Sequence, residues 1–214
     1  MIRSVMFDFG GVITTSPFDA FGRYERDHGL PEGLLRRINS TDPDHNAWAQ
    51  LERGEIDFAS FQNLFEQEAR VLGFEVDASA VVGALGGEIR PQMVEAVRYC
   101  SSRFKTACLT NNFLSMEAGL RPDIAAAFAL FDAVFESSRL GVRKPDPEFY
   151  RLSCEALAVA PHEVVFLDDL GVNLKPARAM GMNTILVRSP DTALAELFAL
   201  IGDQDQGGRH PPTL

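Results

Sequence analysis

Three aspartates end apolar runs that have the composition of buried strands. Asp8 follows SVMF, and Asp168 and Asp169 follow VVFL. Moving an ionised carboxylate out of water is costly unless its charge is compensated. Three carboxylates that lie close together should not all be ionised without a cation, and Mg²⁺ is a hard divalent ion that prefers oxygen ligands. Asp8, Asp168 and Asp169 are therefore candidate ligands of a Mg²⁺ ion.

Two other segments carry groups that suit a phosphate. Thr110 and Asn111 end the run KTACLTN, and Lys144 stands in GVRKPDP, where Pro145 disfavours helix at the lysine. Hydroxyl, amide and ammonium groups can each donate hydrogen bonds to phosphate oxygens. Thr110, Asn111 and Lys144 are therefore predicted phosphate-binding residues. Asp8 can then attack phosphorus and form an aspartyl-phosphate that water hydrolyses. The predicted chemistry is hydrolysis of a small phosphomonoester, with Asp8 and Lys144 as catalytic residues.

These segments converge only if their strands lie side by side in a parallel sheet. Five runs are nearly continuous in apolar residues, as expected for strands covered on both faces, and helical patterns separate the later ones. The carboxyl ends of such strands meet at one edge of the sheet, where ligands bind. The sequence thus predicts an α/β fold with a doubly wound parallel sheet. The predicted strands are Ile2–Asp8, Lys105–Thr110, Asp132–Glu136, Val164–Asp168 and Asn183–Arg188.

Residues 16–88 have a different pattern from the rest of the chain. They contain no convincing strand and show helical stripes, one of them through Phe58, Phe61 and Phe65. This pattern predicts a small helical cap inserted after the first strand. The α/β core domain would then comprise residues 1–15 and 89–201, and the polar tail 202–214 is predicted to be disordered.

Several residues signal where helices begin and end. Pro91 suits a first helical turn, and Asp146 suits an N-cap before Pro147. Gly54 is predicted to separate two helices. Asn173 is predicted to cap the helix that contains LKPARAM, with ordering of the adjacent site loop as a second role.

Composition excludes several classes of partner. The net charge of −10 makes the chain a poor binder of nucleic acid, although a local site can still bind a small anion. No apolar run approaches the roughly 18 residues of a membrane helix, and no signal peptide is expected. The cysteines lack CxxC spacing, which favours reduced thiols in a cytoplasmic protein. Nothing in the sequence indicates the oligomeric state.

The four chemical motifs, taken in order, resemble those of the haloacid dehalogenase superfamily and of its phosphatases in particular. The motifs are FDFGGV with Asp8, LTNN with Thr110, GVRKPDP with Lys144, and FLDDLGVN with Asp168 and Asp169. Through VVFLDDLGVNLKPARAMGMNTILV, the chain is most similar to the N-terminal phosphatase domain of soluble epoxide hydrolases. The resemblance covers nearly the whole chain and implies a Rossmann-like core with a cap after the first motif.

The resemblance also implies roles for individual residues. The first aspartate, here Asp8, is the nucleophile and a metal ligand, and the residue two positions later gives its backbone carbonyl to the metal. That position is Gly10, which keeps the carbonyl but lacks the aspartate side chain that protonates the leaving group in the family. Asp169 is favoured over Asp168 as the direct metal ligand. General acid catalysis is typically worth about 10²–10⁴-fold in rate, so attenuated turnover is expected.

Two alternatives to a Mg²⁺-dependent phosphatase stay open. A metal-independent haloacid dehalogenase would explain the missing acid, because a halide leaving group needs no proton, but such enzymes lack the paired acids of VVFLDD. A low-turnover protein that binds a phosphate ligand or a protein partner has only Gly10 in its favour. Metal-dependent turnover of an aryl phosphate would separate the phosphatase from both.

Overall fold

The computed structural model describes residues 1–112 and 121–202. Within these residues, five parallel strands form one sheet, as the sequence predicted, and their order is β3-β2-β1-β4-β5. Asp8 lies just beyond its strand, although its N–H still donates to the carbonyl oxygen of Leu167 at 2.8 Å. The ends of three strands differ from the prediction by one to two residues because flanking residues leave the sheet. The observed strands are β1 (Ser4–Phe7), β2 (Lys105–Thr110), β3 (Ala133–Glu136), β4 (Val164–Asp168) and β5 (Asn183–Leu186).

Helices cover both faces of the sheet, so side chains of successive strand residues are buried in two different clusters. Val5 and Phe7 of β1 belong to one cluster, and Met6 belongs to the other. This burial on both faces explains the continuous apolar runs. Pro91 and Pro147 each lie in a first helical turn, and Asp146 is an N-cap, as predicted. The helices after the insertion are α6 (Pro91–Ser101), α7 (Pro122–Phe128), α8 (Ser137–Leu140), α9 (Pro147–Leu157), α10 (Gly171–Ala179) and α11 (Pro190–Gly202).

Five helices lie between β1 and α6, and we call them the helical insertion. Their apolar faces pack into a third cluster of buried side chains, which includes Phe61 and Phe65. Gly54 has a φ of +68° and lies between the third and fourth helices, as predicted. The helices of the insertion are α1 (Pro17–Asp27), α2 (Leu34–Ser40), α3 (Ala47–Glu52), α4 (Phe58–Val71) and α5 (Ala78–Gly83).

The chain enters and leaves the helical insertion along two paired segments. Thr14 bridges Ile89, and the Thr15 N–H donates to the carbonyl oxygen of Glu88 at 2.8 Å. The division of the chain into a core of 1–15 and 89–201 and a cap of 16–88 stays a prediction. Gly202 ends α11, and the remainder of the predicted tail lies outside the described residues. In the part of the chain that is described, every helix is too short or too polar to cross a bilayer.

A buried carboxylate joins the first two helices of the insertion and generates a prediction about stability. Glu25 on α1 is 3% exposed, and it accepts hydrogen bonds of 2.8 Å from the N–H groups of Gly33 and Leu35 at the start of α2. Glu25→Ala leaves these donors unpaired and should lower the free energy of unfolding by about 1–3 kcal/mol. Urea denaturation measures this change. Glu32→Ala, at an exposed position nearby, is the control, and equal effects of both substitutions would contradict the account.

Candidate active site

Asp8 lies at the carboxyl edge of the sheet, immediately after the central strand β1. Its side chain is largely buried, and Oδ1 accepts a hydrogen bond of 2.6 Å from the N–H of Phe9. Its other oxygen, Oδ2, lies 2.8 Å from Nζ of Lys144. The carboxylate is therefore held by its own loop on one side and by a cation on the other.

Lys144 is the charged centre of the site. Only 1% of its side chain is exposed, and Nζ lies 2.8 Å from Oδ2 of Asp8 and 2.8 Å from Oδ2 of Asp168. Burial lowers the pKa of Lys144, but the carboxylates of Asp168 and Asp8 outweigh it, so the pKa is raised and the ammonium stays charged. The lysine thus places a fixed positive charge beside Asp8.

The backbone of Lys144 is held by the side chain of Asn111. Nδ2 of Asn111 donates to the carbonyl oxygen of Lys144, and Oδ1 accepts from the N–H of Lys144, both at 2.9 Å. Both ends of the amide are therefore bonded to the lysine. One N–H of Nδ2 has no partner in these two bonds, and the role of Asn111 as a phosphate-binding residue stays a prediction.

Asp168 is completely buried and is surrounded by hydrogen-bond donors. Oδ1 accepts from the N–H of Leu170 at 2.8 Å, and Nδ2 of Asn173 lies 3.1 Å from both carboxylate oxygens. With Lys144 on Oδ2, each oxygen has two donors. The acceptor capacity of this carboxylate is largely used inside the protein.

The predicted capping role of Asn173 is wrong. Helix α10 has Leu170 at its N-cap without a side-chain hydrogen bond, and Asn173 stands inside the first turn. Its side-chain amide donates to Asp168 instead, and its backbone carbonyl oxygen accepts a hydrogen bond from the hydroxyl of Tyr150 at 2.7 Å. The second role predicted for Asn173, ordering of the site loop, agrees with these contacts. The only sequence signal for this contact was the position of Asn173, five residues after Asp168.

Asp169 has fewer partners than Asp168. Its Oδ2 lies 3.5 Å from the hydroxyl of Ser16, which also caps α1 of the helical insertion. Burial raises the pKa of Asp169 to about 6, and the adjacent charge of Asp168 adds to the shift. Asp169 therefore keeps acceptor capacity that a cation could use.

The three aspartates predicted from the sequence meet at one point. Carboxylate oxygens of Asp8, Asp168 and Asp169 lie within 4.8 Å of one another. Burial raises the pKa of Asp8 well above its ordinary value, and the neighbouring aspartates add to this, while Lys144 opposes it. Three carboxylates and one ammonium leave an excess of negative charge, which a hard divalent cation with oxygen ligands would compensate. The donor set therefore fits Mg²⁺, and Gly10 as a further ligand through its carbonyl stays a prediction.

The two glycines after Asp8 are constrained differently. Gly11 has a φ of +76°, and a Cβ built there would overlap the carboxylate of Asp169. Gly10 has no positive φ, and the nearest atom to a Cβ there would be Cδ of Pro17 at 3.6 Å, an ordinary contact. The backbone therefore requires glycine at position 11, whereas position 10 has room for a Cβ.

Thr110 ends β2 beside Asp8 and is 7% exposed. Phe7 pairs with Cys108, two residues before Thr110, so this threonine comes out at the same sheet edge as the aspartates. On the other side, Thr110 pairs with Glu136 of β3. The sheet thus places Thr110 at the edge where the charged residues lie. Phosphate binding by its hydroxyl stays a prediction.

Glu52 of the helical insertion approaches this site and was missed by sequence reasoning. Its Oε2 lies 3.2 Å from NH1 of Arg143, the residue before Lys144. Its Oε1 accepts from Nε1 of Trp48 at 3.1 Å. Burial raises the pKa of Glu52 to about 6, while Arg143 opposes the shift. No motif marks Glu52, because its partner lies on a distant segment.

Comparison with known proteins was made for sequence and for structure. The model of the haloacid dehalogenase-like hydrolase family matches residues 2–181. Bifunctional epoxide hydrolase 2 of Sus scrofa is 34% identical over 99% of the chain, which spans only 41% of that protein's length. Phosphatase MT3486 of Mycobacterium tuberculosis is 32% identical over 87% of both chains. The resemblance found from the motifs is confirmed.

A solved structure with the same fold comes from Bacteroides thetaiotaomicron. It is a family enzyme in complex with magnesium and inorganic phosphate, with a TM-score of 0.60 at 18% identity. The alignment covers 87% of this chain and 94% of the Bacteroides chain. At this identity the likeness establishes the fold alone.

Substitution of the two glycines should separate their roles. Gly11→Ala introduces a strained φ and an overlap with Asp169, so we expect a loss of about 1–3 kcal/mol in unfolding free energy. Gly10→Ala should stay within about 1 kcal/mol of the parent chain, because its Cβ fits and it restricts the unfolded chain. Chemical denaturation of both variants makes the comparison. Equal losses, or a greater loss for Gly10→Ala, would contradict the assignment.

Proposed function

The chain belongs to the haloacid dehalogenase-like hydrolases, and from this premise we propose that it is a Mg²⁺-dependent phosphatase acting on a small phosphomonoester. The observation that carries the proposal is the buried contact of Lys144 with Asp8 and Asp168, at 2.8 Å each, beside the third carboxylate of Asp169. A nucleophile, a fixed cation and a set of oxygens that can bind a metal ion each favour transfer of a phosphoryl group. All three are available at one sheet edge.

The proposed reaction uses Asp8 as the nucleophile. A carboxylate oxygen of Asp8 forms a bond to phosphorus while the bond from phosphorus to the leaving oxygen breaks, giving an aspartyl-phosphate. Water then attacks phosphorus and releases inorganic phosphate, which restores the carboxylate. Lys144 and the hydroxyl of Thr110 bind the phosphoryl oxygens and stabilise their charge throughout.

We assign the metal to Asp8, to the Gly10 carbonyl and to the paired aspartates. Asp169 is the direct ligand of the pair, since Asp168 already accepts from Leu170, Asn173 and Lys144. Asp168 contributes charge and holds the lysine. When bound, Mg²⁺ would supply positive charge that offsets repulsion between the nucleophile and the anionic substrate.

The comparisons support this assignment at the level of the reaction class. The Mycobacterium relative is named as a phosphatase, and the Bacteroides neighbour binds magnesium and inorganic phosphate. The net charge of −10 favours a small phosphorylated substrate over a nucleic acid. A cytoplasmic location agrees with three buried free cysteines among the described residues and remains part of the proposal.

The first test replaces the nucleophile. Asp8→Asn keeps the side-chain volume but cannot attack phosphorus, so hydrolysis of p-nitrophenyl phosphate should fall below about one per cent of the parent rate. The parent chain should require Mg²⁺ and lose activity with a chelator. Retention of substantial activity by Asp8→Asn would exclude Asp8 as the nucleophile.

The controls for that test address the alternatives. Circular dichroism should show that Asp8→Asn remains folded. Metal-independent release of halide from a 2-haloacid would instead support a dehalogenase. If the parent chain turns over neither substrate but binds phosphate, the result would support the binding-protein alternative.

A second test concerns the proton that the leaving group needs. Since Gly10 offers no acid, the leaving oxygen should depart as an anion or take its proton from water. The rate should therefore fall steeply from aryl to alkyl phosphates. A Cβ fits at position 10, and Gly10→Asp should raise the alkyl rate, by up to the roughly 10²–10⁴-fold that general acid catalysis is worth.

The measurement is the single-turnover rate of enzyme phosphorylation across a series of leaving groups of increasing pKa. Gly10→Ala is the matched control, because it adds a Cβ without an acid. A flat dependence in the parent chain would show that another group, such as a hydroxyl of the segment Thr14–Ser16 or an ordered water, donates the proton.

A further inference from the structure

An ion pair joins the helical insertion to the loop that carries Lys144. NH1 of Arg143 lies 3.2 Å from Oε2 of Glu52, the last residue of α3. The side chains of Arg143 and Glu52 are only 20% and 12% exposed. Water screens such a pair poorly, and removal of one member leaves the other charge partly buried without its partner. Each side chain therefore depends on the other for compensation of its charge.

The insertion packs closely against the core around this pair. Nε1 of Trp48 donates to Oε1 of Glu52 at 3.1 Å, so one oxygen of Glu52 is bonded within the insertion and the other to the core. Two residues later, a Cβ at Gly54 would lie 2.7 Å from the carbonyl oxygen of Ser138 in α8. The turn after α3 thus rests directly on the core backbone.

Arg143 also contacts the backbone of Lys144. Its Nε lies 3.4 Å from the carbonyl oxygen of Lys144, which also accepts the 2.9 Å hydrogen bond from Asn111. The backbone of Lys144 is therefore held by Asn111, which follows β2, and by Arg143, which pairs with Glu52 of the helical insertion. The ammonium at the other end of this side chain lies between Asp8 and Asp168.

We propose that Glu52 is a positioning residue, which through its ion pair with Arg143 couples the seating of the helical insertion to the position of Lys144. The proposal rests on the proposed function, because it assigns Glu52 an effect on the rate of that reaction. Burial raises the pKa of Glu52 to about 6, while Arg143, Trp48 and Lys144 lower it. Loss of Arg143 would thus favour the neutral acid, and the carboxylate charge depends on the same contact.

A double-mutant cycle on kcat/KM tests the coupling. The variants are Glu52→Ala, Arg143→Ala and the double variant, assayed with p-nitrophenyl phosphate and Mg²⁺. Each single substitution should lower kcat/KM by about 10- to 100-fold, because displacement of a catalytic group by about 1 Å costs up to about 10²-fold. The loss should appear mainly in kcat. The kcat/KM of the double variant should be at least that of the less active single variant. Losses that multiply would overturn the proposal.

Glu55→Ala is the matched control. Glu55 lies next to the same turn and pairs with Arg53 at 2.6 Å, but its side chain is 48% exposed. Its removal should leave kcat/KM within about twofold of the parent, because its carboxylate pairs with Arg53 of the helical insertion and not with the loop that carries Lys144. If Glu52→Ala behaves like Glu55→Ala, the positioning role is excluded. Glu52→Gln, which keeps the shape of the side chain, serves in place of Glu52→Ala should the latter fail to fold.

Hydrogen exchange separates failure of this inference from failure of the proposed function. Amides of residues 141–144 and of Asp146 should exchange faster in the Glu52 variant than in Glu55→Ala, whatever reaction the protein catalyses. Unchanged exchange in this loop would overturn the coupling even in an active phosphatase. Faster exchange in a chain that hydrolyses no phosphate ester would overturn the proposed function and leave the coupling standing.

Discussion

The ammonium of Lys144 lies 2.8 Å from two carboxylates in a place that water barely reaches. Charges buried to this extent are tolerated only when they are paired and hydrogen-bonded. One ammonium cannot compensate Asp8, Asp168 and Asp169 together, so the folded chain carries a local excess of negative charge. The proposed divalent cation would compensate this imbalance, and a phosphate could then bind beside it.

The rest of the core keeps this cluster in place. The strand order brings β2, β1 and β4 side by side, so that Thr110, Asp8 and Asp168 leave the sheet at adjacent points. Asn111 then fixes the lysine backbone, and Asn173 fixes the carboxylate that the lysine contacts. The donors that surround Asp168 make it an anchor, whereas Asp169 keeps oxygens available. Two adjacent residues of the same type thus have different chemical capacities because their neighbours differ.

Much of this arrangement could be predicted from the sequence, because the parallel sheet imposes it. Buried strands appear as continuous apolar runs, and their carboxyl ends meet at one edge, so Asp8, Thr110 and Asp168 were found from local pattern alone. Asn173 was misjudged because asparagine near a helix start is most often a cap, and its contact with Asp168 depends on how α10 is oriented against β4. Glu52 could not be found, since it meets Arg143 only after the helical insertion packs on the core. Contacts between distant segments have no local signature.

The glycine pair after Asp8 shows why the missing acid is a chemical feature of this chain. Had the backbone at Gly10 required a positive φ, a residue other than glycine would have been strained there. That constraint falls on Gly11, whose Cβ position is occupied by the carboxylate of Asp169. A Cβ at position 10 would make only ordinary contacts with Pro17, so neither φ nor crowding at Cβ requires glycine there. Under the proposed function the consequence concerns reactivity: the charged residues of the site are present, and protonation of the leaving group would fall to solvent or to a group outside this motif.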